Sequence, residues 1–179
     1  MSKHYISSLT MLAACILLLS CGSKSNPQDN RFAPTRYSKE TMTEVNRYLS
    51  EKDKEIIEGY ARRNKLNIAL SESGFYYSIL SDGSGKAITQ NSVVSITGTL
   101  NLIDGTPCYT YTAEDPKIIA IAKSPEITGL HIALPMLKEN GHAIFIFPPN
   151  LAFGLLGDGN KVPPRSTIVM NISILSIED

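Results

Sequence analysis

Cysteine is scarce in this sequence: only Cys15, Cys21 and Cys108 occur, with no C-x-x-C pair among them. A disulfide framework or a zinc knuckle needs more thiols at closer spacing, so neither is expected and each cysteine stands alone. An excess of charge of one sign is missing too. Lys plus Arg number 17 and Asp plus Glu 17, so the chain lacks the basic footprint of a nucleic-acid binder, and no nucleic-acid partner is expected. No apolar run reaches the roughly twenty residues that a membrane span requires. Past residue 21 the only histidines are His131 and His142, with no carboxylate or thiol at ligand spacing; no metal is expected, and both rings are expected to be solvated. What is present is an ordinary globular composition, 42% apolar and 19% charged in 179 residues, enough for one domain with a real core and a smaller appendage.

Lys3 and His4 form a short basic start, and Ile6 to Leu19 a mostly apolar run of about fourteen residues, the proportions of a signal-peptide core. The run closes in Leu18-Leu19-Ser20-Cys21, which resembles a bacterial lipobox. Residues 1–20 are therefore expected to be a lipoprotein signal peptide, and Cys21 the lipidated residue that ties the chain to a bilayer. Residues 21–38 are rich in Ser, Asn, Pro and charge without apolar periodicity, and read as a flexible tether.

Residues 39–73 change to helix formers. Val45, Tyr48, Leu49, Ile56, Ile57, Tyr60 and Ala61 recur at helical spacing, predicting one or two amphipathic helices, with Ser38 or Thr41 as cap and Asn64 near the end. Packing on the following domain, self-association as a dimer and a client-binding arm are all compatible with that stripe. From residue 74 to 179 the period becomes two. Strands are predicted over Phe75–Leu80, Val93–Leu102, Cys108–Thr112, Ile118–Ala122, Ala143–Phe147 and from Ile168 to Ile174, with a two-residue hairpin at Asp104-Gly105. In the last strand Ile168, Met170, Ile172 and Ile174 alternate with Val169, Asn171 and Ser173, which predicts one core face and one wetter face. A short helix carrying Leu130, Ala133 and Leu134 is expected to stop at Pro135. The order implies an α+β fold: an antiparallel, strongly curved sheet wrapped around one short helix, with an N-terminal helical extension.

Taken together, Val94-Ser95-Ile96-Thr97-Gly98, Leu102-Ile103-Asp104-Gly105, Ile127-Thr128-Gly129-Leu130, the segment Pro148-Pro149-Asn150-Leu151-Ala152-Phe153-Gly154, Val162-Pro163-Pro164 and the strand from Thr167 to Leu175 resemble the FKBP-type prolyl isomerases in order and spacing. With its charged helical extension the chain looks like lipoprotein members of that family from Bacteroidetes, including those linked with gliding motility. The resemblance implies a peptidyl-prolyl cis-trans isomerase acting on proline-containing exported polypeptides at the cell envelope, without cofactor and without a catalytic acid or base. The rival expectation is a weak or inactive module that only holds clients or scaffolds an envelope assembly.

The same resemblance implies a substrate pocket formed by Ile96, Cys108, Tyr109, Ile127, Leu130, Phe153, Val162 and Met170. Typical members carry aromatic rings where this chain has Ile96, Cys108 and Met170, a tryptophan where it has Leu130, and an acid where it has Tyr109. Phe153 keeps a ring but lacks the phenol hydroxyl often found there, so one hydrogen bond to a substrate carbonyl is expected to be missing. The backbone N–H of Ile127 is the other expected donor. Cys108 is expected to be an inert packed thiol.

Overall fold

The computed structural model describes residues 39–178, so the expected signal peptide, Cys21, the tether and the cap candidate Ser38 lie outside the described residues. The chain divides into two compact units, residues 1–41 and 42–179; of the first, only Lys39, Glu40 and Thr41 are described, as the opening turn of a helix.

Helix α1 spans Lys39–Arg63 as a single helix, so Thr41 lies inside its first turn rather than capping it. Glu40 in the first turn and Arg62 and Arg63 in the last complement the helix dipole. The helix stops in a Schellman arrangement: Lys65 takes φ 55°, and the N–H groups of Leu66 and Lys65 donate to the carbonyls of Ala61 and Arg62.

Seven strands follow: β1 (Ala69–Leu70), β2 (Tyr76–Ser81), β3 (Val93–Leu102), β4 (Pro107–Tyr111), β5 (Lys117–Ala120), β6 (His142–Phe147) and β7 (Ile168–Glu178). They form one antiparallel sheet in the order β1-β2-β6-β7-β3-β4. Strand β7 runs along the whole of one edge of β3, while β5 and β4 share the other edge, β5 along Val93–Ile96 and β4 along Gly98–Asn101. Register shifts at Ile79/Ser81, Ser95/Ile96 and Leu100/Asn101 mark bulges, which bend strands and increase their twist. The β3–β4 connection differs from the predicted two-residue hairpin. Leu102 N–H donates to the Thr106 carbonyl, leaving three residues in the loop, with Gly105 at φ 95° closing it as a bulge.

Alternate residues of the central strands enter two separate cores. Phe75, Phe145, Phe147, Ile168, Met170 and Ile172 face helix α2 (Thr128–Ala133), whose Leu130 and Ala133 join them. Tyr76, Ile146 and Val169 face the opposite way and pack with Ile57 of α1. The face of β7 predicted to be wetter is therefore covered where α1 crosses it: Val169 is buried, and only beyond it does Asn171 become exposed. Burying Ile57 completely stabilises the docked helix by about 1.5–3 kcal/mol. Toward its start α1 keeps Met42, Val45 and Tyr48 exposed.

Helix α2 ends at Ala133, just ahead of Pro135 as expected, and the chain continues in a 3-10 turn over Leu134–Met136 that accommodates the proline near its start. Gly129 lets α2 approach β6: a methyl group there would meet the Phe147 ring and, at 2.8 Å, the Leu151 carbonyl.

Candidate functional site

On the α2 side of the sheet lies an open cavity of about 410 Å³. Leu130 of α2 and Met170 of β7, each 1% exposed, supply deep apolar lining, and Leu100 of β3 adds to it. Phe153 comes from the turn that follows a 3-10 segment over Pro149–Leu151, and Pro125, Glu126 and Ile127 from the segment entering α2. Tyr109 and Tyr111, alternate residues of β4, form a further wall. The Ile127 N–H has no acceptor among the described residues.

Of the eight residues expected from sequence, the cavity brings together Tyr109, Ile127, Leu130, Phe153 and Met170. The other three do not line it. Ile96 is fully buried in the core, and the cavity is reached instead by Leu100, two pleats further along β3. Cys108 immediately precedes Tyr109 in β4 and is buried, its Sγ 3.6 Å from the Lys161 carbonyl oxygen. Burial, and then the charge of Asp158, push its thiol upward from the usual range, which keeps it protonated and unreactive. Val162 is 2% exposed, and its N–H donates to Asp158.

Sequence reasoning also missed the polar groups at the cavity. Lys117 of β5 pairs with Glu126 at 2.7 Å, both side chains about four-fifths covered, and its ammonium lies 5.4 Å from the centre of the Tyr111 ring. Asp158 clasps the loop after Phe153: its carboxylate accepts from the Tyr109 hydroxyl and from the N–H groups of Asn160 and Val162. Burial opposes the charge of Asp158, but these donors together outweigh it and hold the carboxyl below the usual range. Tyr109 thus carries no acid itself but bonds one supplied by the loop after Phe153. The period-two relation of Tyr111 to Tyr109 was the one sequence signal for any of these partners. The others meet only through the fold.

Two further contacts tie the cavity walls to the scaffold. Arg165, at φ 55°, donates its N–H to the Gly154 carbonyl and both guanidinium arms to Asp53 of α1 at 3.3 and 3.4 Å, so the loop carrying Phe153 is joined to the extension helix. His131 of α2 accepts the Ala122 N–H at Nδ1, so Nε2 carries the proton it donates to the Ser124 carbonyl; these bonds fix the loop leading to Pro125. His142 bonds Asn171 at 2.6 Å, so neither histidine is simply solvated as expected.

Residues 84–175 match the family of FKBP-type peptidyl-prolyl cis-trans isomerases, and the chain belongs to that family. A probable FKBP-type peptidyl-prolyl cis-trans isomerase, FkpA of Neisseria meningitidis serogroup B, is 31% identical over 127 residues, 70% of this chain and 46% of that protein. The human protein described as inactive peptidyl-prolyl cis-trans isomerase FKBP6 is 24% identical over 123 residues, 67% of this chain and 38% of that one. The chain spans less than half the length of these curated relatives. The crystal structure of FkpA from Escherichia coli has the same fold, with a TM-score of 0.61 at 23% identity over 80% of this chain and 74% of that one.

Proposed function

We propose that the protein is a peptidyl-prolyl cis-trans isomerase for exported polypeptides at the cell envelope. The observation that carries this reading is the cavity itself: an apolar floor of Leu130 and Met170, the Phe153 ring at its side and an unclaimed Ile127 N–H at its edge. Rotation about an X-Pro amide is opposed by resonance, with a barrier of about 18–20 kcal/mol. It needs no proton transfer. The twisted transition state has lost conjugation and its carbonyl is less polar than in the planar amide. A dry, shaped cavity therefore favours the twisted state over the planar one, while hydrogen bonds to neighbouring carbonyls hold the chain in place.

A second reading, a client-binding module with weak or no catalysis, is favoured by one feature: Leu130 and Met170 stand where typical members carry rings, and Ile96 and Cys108 supply no cavity wall at all. A protease-free isomerisation assay on residues 22–179 separates the two. Catalysis that is lost in Phe153→Ala supports the isomerase; a wild-type rate equal to the uncatalysed one leaves the binding module. Envelope attachment through acylated Cys21 rests on the lipobox-like sequence and has its own check. Fatty-acid labelling that persists in Cys21→Ala would refute it.

A further inference from the structure

The phenol missing from position 153 has a replacement within the same cavity. Two tyrosines line it, Tyr109 and Tyr111, and they differ in what their hydroxyls already do. The Tyr109 hydroxyl gives its single proton to Asp158 and accepts from Asn160 Nδ2 at 3.4 Å, so it has nothing left to donate. The Lys117 ammonium is engaged by Glu126. The Tyr111 hydroxyl makes no hydrogen bond among the described residues. The Lys117 ammonium lies over its ring, and across the strand pair Tyr111 stands opposite Gly98, which presents no side chain. Burial, reinforced by the charge of Glu126, pushes its pKa up to about 12, so the hydroxyl keeps its proton throughout the neutral range.

We propose that the Tyr111 hydroxyl is the side-chain hydrogen-bond donor to a peptide carbonyl of the bound X-Pro segment, the role Phe153 is chemically unable to fill. The proposal rests on the isomerase reading and assigns it a binding residue. The carbonyl concerned flanks the rotating bond. A donor to the rotating carbonyl would favour the planar amide, whereas a flanking carbonyl is the same in the planar and twisted states. Its hydrogen bond therefore contributes equally to both and appears in KM rather than kcat.

The test is Tyr111→Phe in the purified protein, which keeps the ring and its contact with Lys117. With a short peptide containing a Leu-Pro bond, KM is expected to rise by about two- to tenfold with kcat unchanged, the loss of one neutral hydrogen bond. An unchanged KM, or a fall in kcat with KM constant, overturns the assignment while leaving the isomerase intact. Calorimetric titration of the same peptide keeps the proposal testable if the wild type proves inactive. Affinity weakened by about two- to tenfold in the variant then supports Tyr111 as the donor. Equal affinity refutes the donor alone, and no binding by the wild type refutes both the donor and the site.

Discussion

Helix α1 contributes to the stability of the whole domain through one residue above all. Ile57 is 0% exposed and packs against Tyr76, Ile146 and Val169, the residues that the central strands direct away from α2. Ile57→Ala removes three carbon atoms, worth about 2.4 kcal/mol at about 0.8 kcal/mol per buried methylene. Incomplete collapse of the site adds a cavity cost, which brings the expected loss to about 3 kcal/mol, within the range for such truncations. The unfolding entropy is about 2.1 cal/mol/K per residue, so for the roughly 140 described residues it is about 0.3 kcal/mol/K. The midpoint should therefore fall by about 10 °C. Thermal unfolding followed by far-ultraviolet circular dichroism reads the shift, and Ile56→Ala, whose side chain is 44% exposed, is the comparison, with an expected change under about 2 °C. A single transition lowered only by Ile57→Ala is the predicted result. Equal small shifts for both variants, or a separate early transition for the helix, would refute the claim that α1 completes the second core.

Gly129→Ala places a methyl group against the Phe147 ring and the Leu151 carbonyl; overpacking of this kind costs about 1–3 kcal/mol, so calorimetry should show a lower melting temperature, and an unchanged one would mean that α2 shifts freely. The Asp158 carboxyl is held low in the folded protein, so the stability it contributes is present above its unfolded value near 3.9 and is lost as pH falls through its lower folded value. Asp158→Asn should therefore lose less stability on acidification than the wild type. Some acid dependence persists through Asp104, whose carboxyl is held low chiefly by the Thr106 N–H. Identical acid limbs in wild type and variant would contradict the clasp.

Much of the fold was legible because local chemistry and periodicity agreed. Val93–Leu102 is a strand in the structure with the bounds its sequence suggested, and Asp104-Gly105 does turn the chain, although Gly105 closes a three-residue loop. What period two leaves open is what covers each face. Val169 alternates like an outward residue and is buried because a helix more than a hundred positions earlier lies over it. Strand β1, two residues long and paired only with β2, carries too little pattern to be seen. The cavity was legible to the extent that family spacing transfers. Ile127, Leu130, Phe153 and Met170 reach it, but β3 presents Leu100 in place of Ile96, and β4 presents Tyr111 beside Tyr109 while Cys108, one residue before Tyr109, is buried in the core. The Lys117–Glu126 pair and the Tyr109–Asp158 bond join residues from different elements, and no local pattern in the sequence announces either.

The central claim is that this cavity accelerates rotation about X-Pro bonds in a polypeptide. The most direct test is the refolding of a single-domain protein whose slow phase, of about tens of seconds, is limited by proline isomerisation. Adding the purified protein in catalytic amounts should increase the rate of that phase in proportion to its concentration, and Phe153→Ala should remove the effect. A slow phase unchanged at every concentration, with the protein folded throughout, would contradict the account.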